Sequence, residues 1–179
     1  MTIPTTPSFR IDGKRALVTG AGRGIGLAAA AGMAAGLRLD GLSARVYAVL
    51  GDGELNEGTV WEACMSAVKF RLDNLCAIVD WNRVQLDGAC ADIMPMDNLV
   101  QRFAAFGWRV VECDGHDVGA LCGAFAEARR TKGGPTVVLA RTVKGKGVSF
   151  MEGKNVWHGK PIDDACLARA LEDLGGDRA

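Results

Sequence analysis

The chain has 179 residues, 49% hydrophobic and 23% charged, an ordinary globular composition and enough length for one α/β core. Lys plus Arg and Asp plus Glu both number 21, so the formal charge is zero; neither a nucleic-acid surface nor a basic membrane-binding face is expected, whereas association into an oligomer is favoured. No CxxC pair occurs among the six cysteines and the only histidines are His116 and His158, which argues against a disulfide framework, a zinc site or a His-rich metal site.

The N-terminal stretch lacks the hydrophobic core of a signal peptide, and glycines and an arginine interrupt the longest apolar run. The expectation is a cytoplasmic protein with buried, reduced thiols and no membrane contact.

Along the chain, short apolar runs alternate with amphipathic ones. Residues 14–20, KRALVTG, read as a buried strand ending in glycine. Residues 24–41 are Ala-rich and read as a helix stopping near Asp40-Gly41. Residues 45–50 read as a strand, and residues 57–72 as a helix with Val60, Cys64, Ala67 and Val68 at helical spacing. A strand over 75–80, a helix over 96–107 and a strand over 108–114 follow. A helix over 117–133 and a last strand over 135–143 complete the alternation. Residues 144–161 read as a glycine-punctuated loop and residues 163–176 as a short closing helix. This order predicts an α/β fold: a parallel sheet with helices on both faces, joined by right-handed crossovers, with ligands bound at the carboxyl ends of the strands.

One βαβ unit carries the chemistry. It runs from Gly51 to Asn82, GDGELNEGTVWEACMSAVKFRLDNLCAIVDWN. Asp52 and Asn82 fall at the ends of neighbouring strands, so both face one crevice. A carboxylate with an amide oxygen makes a hard oxygen site suited to Mg²⁺ or Ca²⁺. Two protein oxygens leave room for phosphate oxygens and water around the ion. Gly51 and Gly53 remove the Cβ atoms that would keep a phosphate from the backbone, and the following helix start adds favourable partial charge. The expected ligand is a metal-bridged diphosphate; the alternative is an ordinary strand-end turn with an unrelated asparagine.

At these residues the sequence resembles the thiamine-diphosphate motif, GDG followed by Asn. The wording GDGELNEGTVWEA is similar to transketolases, as are VDWNRVQLDG, GWRVVECDGHD, TVKGKGVSFMEG and WHGK further on. The resemblance runs from about Gly26 to the C-terminus and is nearest to the separate N-terminal subunits of split transketolases. It implies a thiamine-diphosphate-binding, transketolase-like fold. It assigns the metal to Asp52, the Asn82 side chain and the Val84 carbonyl, and the diphosphate to Gly51, Gly53, Asn82 and His158. Glu57 matches an acid of the inter-subunit carboxylate network, and Leu86 lies where an apolar side chain supports the thiazolium. The implied activity is two-carbon ketol transfer between sugar phosphates. It needs a transketolase C-terminal subunit to hold the aminopyrimidine and supply its activating glutamate, in a homo- or hetero-oligomer. His116 reads as a turn residue, Trp61 and Trp108 as core or interface, and the KGKG stretch as a phosphate grip or a solvated basic loop.

The first 25 residues depart from this pattern. Transketolases carry histidines upstream that meet substrate and cofactor, and this chain has none before His116, so activity of its own is not expected and no catalytic residue is assigned. FRIDGKRALVTGAGRGIGLAAA instead resembles the start of a short-chain dehydrogenase/reductase, with Thr19, Gly20, Gly24 and Gly26 fitting TGxxxGxG. That family's YxxxK base and NNAG stretch are missing, since Tyr47 is the sole tyrosine. The organisation expected is a reductase-like strand and glycine turn over 1–25, fused to a transketolase-like domain over 26–179 in one folded unit. The alternatives to a working cofactor-binding subunit are an NAD(P)-binding reductase remnant and a catalytically silent fusion fragment.

Overall fold

The computed structural model describes residues 17–18 and 26–175. In chain order the elements are β1 (Leu17–Val18), α1 (Gly26–Leu39), β2 (Val46–Gly51), α2 (Gly58–Lys69), β3 (Leu75–Trp81), β4 (Val84–Gln85) and β5 (Gly88–Ala89). There follow α3 (Cys90–Ile93), α4 (Leu99–Ala105), β6 (Arg109–Asp114), α5 (Val118–Arg130), β7 (Thr136–Arg141) and α6 (Asp164–Asp173). Five strands form one parallel sheet in the order β1-β2-β3-β7-β6, while β4 and β5 pair antiparallel as a separate hairpin. The glycine turn of the reductase-like stretch, with Thr19, Gly20 and Gly24, lies outside the described residues.

Alternation along the strands builds two apolar layers, as period-two side chains must. Val46, Ala48 and Leu50 of β2, with Leu75, Ala77 and Val79 of β3, face one side. There they meet Leu27 and Ala30 of α1, Val60 and Cys64 of α2, and Phe103 of α4. Tyr47, Cys76, Ile78 and Val138 face the other side, against Ala124, Phe125 and Ala128 of α5. Helices therefore cover both faces, as the alternating pattern predicts. Two buried donors tie the layers together: Asn74 Nδ2 donates to the Ala34 carbonyl at 2.9 Å, and Trp108 Nε1 to the Cys64 carbonyl at 3.1 Å. Both tryptophans belong to the main core, where Trp61 stacks on Phe103 and Phe106.

All six cysteines are free; Cys64, Cys76 and Cys90 are buried and Cys122 is exposed. Burial pushes the Cys64 and Cys76 thiols up to about 12, so they pack as small hydrophobes. No helix among the described residues is long and apolar enough to cross a membrane.

Strand order decides where a ligand can sit. After β3 the chain passes over the position of β7 to build β6 at the far edge, then returns through α5 to fill the gap. The direction of winding thus reverses at β6, and β3 and β7, reached from opposite directions, lie side by side with their carboxyl ends open to a ligand. Four short features were not readable from periodicity: 3-10 turns at Gly53–Asn56 and Asn155–His158, the β4–β5 hairpin, and α3. Each is four residues or fewer per element, too short to set a period.

Two helix starts carry side-chain caps. Asp117 accepts from the Gly119 and Ala120 amides at 2.7 and 3.1 Å, and Asp163 from the Cys166 amide at 2.8 Å. Asp117→Ala is expected to cost about 1 kcal/mol of unfolding free energy in a denaturant titration. The Cys166 amide holds Asp163 below the usual carboxylate range, and the Ser149 hydroxyl and amide do the same for Asp173. Depressed folded-state values mean stability that is complete above the unfolded value, about 4, and lost as pH falls through the folded one. Amide exchange should therefore show α6 loosening in acid below that value before the sheet does; simultaneous loss of α6 and β3 would contradict this.

Candidate functional site

Strands β2 and β3 run in register, with Gly51 beside Asp80, so the residues that follow them emerge side by side. Asp52 and Asn82 are those residues' neighbours, and both line one cleft of about 760 Å³ at the reversal point of the sheet. That volume is in the range of small-molecule and cofactor sites. Gly51, Gly53, Glu57 and Val84 line the same cleft, as do Leu86 and His158. The structure thus gathers in one cleft the residues assigned to the metal and the cofactor. His116 lies elsewhere, in a turn: its Nε2 accepts from the Val143 amide at 2.8 Å, which steadies the chain leading to Lys144.

Asp52 is only 3% exposed. Burial raises its pKa above the usual carboxylate value, and the nearby Asp80 carboxylate adds to the rise. The Arg83 amide, the Cys90 thiol and the Gly53 amide oppose it by hydrogen bonding. Among the described residues no lysine or arginine forms an ion pair with Asp52. A buried carboxylate beside a second one, held by neutral donors alone, is an electrostatic deficit that a cation would fill.

The loop after β3 is shaped to hold it. Arg83 takes φ 64°, in the left-handed region that a non-glycine residue adopts at a cost of about 1 kcal/mol. This conformation lets the Arg83 amide donate to Asp52 Oδ2, while the Val84 amide donates to Asn82 Oδ1 at 2.9 Å. The Arg83 carbonyl in turn accepts from Cys90 N at 3.0 Å, closing the β4–β5 hairpin beneath the site. Asp52 and Asn82 are therefore oriented by backbone groups, and each oxygen in these contacts retains a further lone pair.

Close approach sets the identity of Gly53. A Cβ there would lie 2.7 Å from Gln85 Cβ, inside any tolerable contact. At Gly51 an added Cβ would meet nothing closer than Glu54 Cγ at 3.8 Å. Gly51 instead contributes its amide, which donates to Glu54 Oε2 at 2.6 Å.

The opposite wall is basic. Lys144, just after β7, and the exposed His158 share the cleft, with Lys144 Nζ 3.4 Å from His158 Nδ1. The sequence reading left KGKG open between a phosphate grip and a solvated loop; the structure puts its first lysine in the cleft wall. Gln85 and Glu54 also line the cleft and were not among the expected site residues.

This arrangement fits a divalent ion and a diphosphate: oxygen donors and uncompensated negative charge at one end, Lys144 and His158 at the other. Among the described residues no cluster of three or more His, Cys, Asp or Glu side chains could hold a metal by itself, so part of the ion's shell must come from elsewhere.

Comparison with known proteins identifies the family. The family model described as transketolase, thiamine diphosphate binding domain, matches residues 15–179. A 6-deoxy-6-sulfo-D-fructose transketolase subunit of Clostridium sp. is 40% identical over 151 residues, covering 84% of this chain and 55% of that protein. Human transketolase is 43% identical over 152 residues, covering 84% of this chain and 24% of that protein. Among solved structures, transketolase from Campylobacter jejuni superposes with a TM-score of 0.75 at 31% identity, covering 88% of this chain and 25% of that one. The chain thus spans about half the length of the subunit relative and about a quarter of the full-length enzymes. On the matched span, the shared fold and the identity to its relatives, the chain belongs to the transketolase family as a thiamine diphosphate-binding domain.

Proposed function

We propose that this chain anchors thiamine diphosphate through a divalent ion, Mg²⁺ or Ca²⁺, and serves as the diphosphate-binding half of a transketolase acting on sugar phosphates. The observation that carries this reading is the buried Asp52 carboxylate, raised in pKa and without a cationic partner among the described residues. Asp52, Asn82 Oδ1 and the Val84 carbonyl are the assigned metal ligands. The Gly51 and Gly53 backbone, Asn82, Lys144 and His158 are assigned to the diphosphate, and Leu86 to the apolar part of the cofactor.

When bound, thiamine diphosphate supplies the nucleophilic carbon and electron sink for transfer of a two-carbon ketol unit. The protein's part is anchoring and orientation. Asp52 is held against rotation by the Arg83 amide, so the ion and the diphosphate are fixed relative to the sheet. Lys144 and His158 balance phosphate charge from the opposite wall. Leu86 is 56% exposed at the cleft, and Val156 is 55% exposed in the 3-10 turn whose Asn155 Nδ2 donates to the Leu86 carbonyl. An open apolar rim of this kind supports completion of the site by a C-terminal subunit, in a homo- or hetero-oligomer.

Three outcomes test the reading. Isothermal titration should show thiamine diphosphate binding that requires Mg²⁺ or Ca²⁺ and weakens at least about 100-fold in Asp52→Ala; metal-independent binding, or heat that survives the substitution, would sink it. Gly53→Ala should lower cofactor affinity, because Gln85 must move away from the site to admit the methyl group, and an unchanged dissociation constant would count against the packing described. Mixed with a C-terminal subunit of a split transketolase, the chain should support ketol transfer between sugar phosphates in a coupled assay. Tight cofactor binding without turnover in that mixture would limit the chain to a binding role.

A further inference from the structure

Gln85 sits on β4 one residue beyond Val84, pinned by its register with Gly88 across the hairpin, and lines the cleft. Its side-chain nitrogen is buried and has no hydrogen-bond partner. Its Oε1 accepts from Asn56 Nδ2 at 3.4 Å. Asn56 Nδ2 faces the Gln85 oxygen, which leaves the nitrogen as the unmatched end. The side chain lies against Gly53, the one residue type whose backbone tolerates it there. A buried donor with nothing to donate to is costly, and the cost disappears when an acceptor arrives.

The surroundings say what that acceptor is. Asp52, Glu54, Glu57, Asp80 and Asp87 line the cleft, all of them acids, so an anion on this side needs neutral N–H donors as well as a cation. Lys144 and His158 also line the cleft, with Lys144 Nζ 3.4 Å from His158 Nδ1. At 3.4 Å the contact to Asn56 is long, and a charged acceptor is the stronger partner.

We propose that Gln85 is a cofactor-positioning residue that donates its side-chain N–H to a phosphate oxygen of the metal-bound diphosphate. The role rests on the cofactor reading above and adds a determinant for the diphosphate itself, independent of the thiamine ring. On cofactor binding Gln85 exchanges its contact with Asn56 for a charged acceptor.

Isothermal titration with two probes, thiamine diphosphate and inorganic pyrophosphate, each with excess Mg²⁺, tests it. Gln85→Leu keeps the side chain's bulk and removes the donor; it should weaken both probes by about tenfold and by the same factor. Gln85→Glu keeps the shape, places a carboxylate beside the phosphates, and should weaken both further. Circular dichroism melts report whether each variant is folded, and Gln85→Asn replaces any that is not, with the same expected direction of loss. Wild-type affinity in folded Gln85→Leu for either probe would overturn the role of Gln85 while leaving the cofactor reading intact. Failure of the wild-type chain to bind either probe would overturn both.

Discussion

A carboxylate at the end of a central strand, buried and unneutralised, is the constraint on which the site depends. Asp52 cannot leave, because it follows β2 directly and the Arg83 amide holds one of its oxygens. Nor is it neutralised by a neighbouring lysine or arginine among the described residues. An apolar residue there would pack as well and fold more easily. The retained charge is intelligible as half of an ion-binding arrangement whose other half is the Asn82 amide oxygen and whatever anion the ion recruits. The strained Arg83 backbone belongs to the same bargain between local strain and an oriented ligand set.

The sheet supplies the geometry that makes this possible. Parallel register between β2 and β3 delivers Asp52 and Asn82 to one cleft at the carboxyl ends of the strands. Lys144 enters from the end of β7, so a single crevice collects an acidic floor and a basic wall from three strand ends. Acidic and basic side chains in one cleft suit a ligand with a metal-bound anionic tail.

Much of this was legible in the sequence, for identifiable reasons. The strands and long helices carry period-two and helical patterns, so their order and the parallel sheet follow from apolar spacing. Asp52 and Asn82 were placed together because one βαβ unit separates them. The rest was hidden where structure is too short to leave a period. The β4–β5 hairpin orients Val84 and Gln85 through two residue pairs, and no pattern in VQLDGA announces it. The left-handed Arg83 carries a side chain for which that conformation is uncommon, so nothing in its identity pointed to the turn. Glu54 matched no pattern by itself, and it receives the Gly51 amide. Of the reductase-like pattern only Gly26 falls among the described residues, where it opens α1; Thr19, Gly20 and Gly24 lie outside them.

Gln85 extends the same logic from the ion to the phosphates. Acidic side chains crowd the floor of the cleft, so a cation alone leaves the outer phosphate oxygens facing negative charge. A neutral donor held on the hairpin relieves that conflict without adding a positive charge that would compete for Asp52. The hairpin thereby couples Val84 and Gln85, one assigned to the metal and the other to the anion, through adjacent backbone positions.

Anomalous diffraction from crystals grown with Mn²⁺ and thiamine diphosphate interrogates the central interaction most directly. The expected result is one strong peak about 2.1 Å from both an Asp52 carboxylate oxygen and Asn82 Oδ1, with diphosphate oxygens completing the shell. A cofactor seated in the cleft with no ion touching Asp52, or an ion bound elsewhere on the chain, would contradict it.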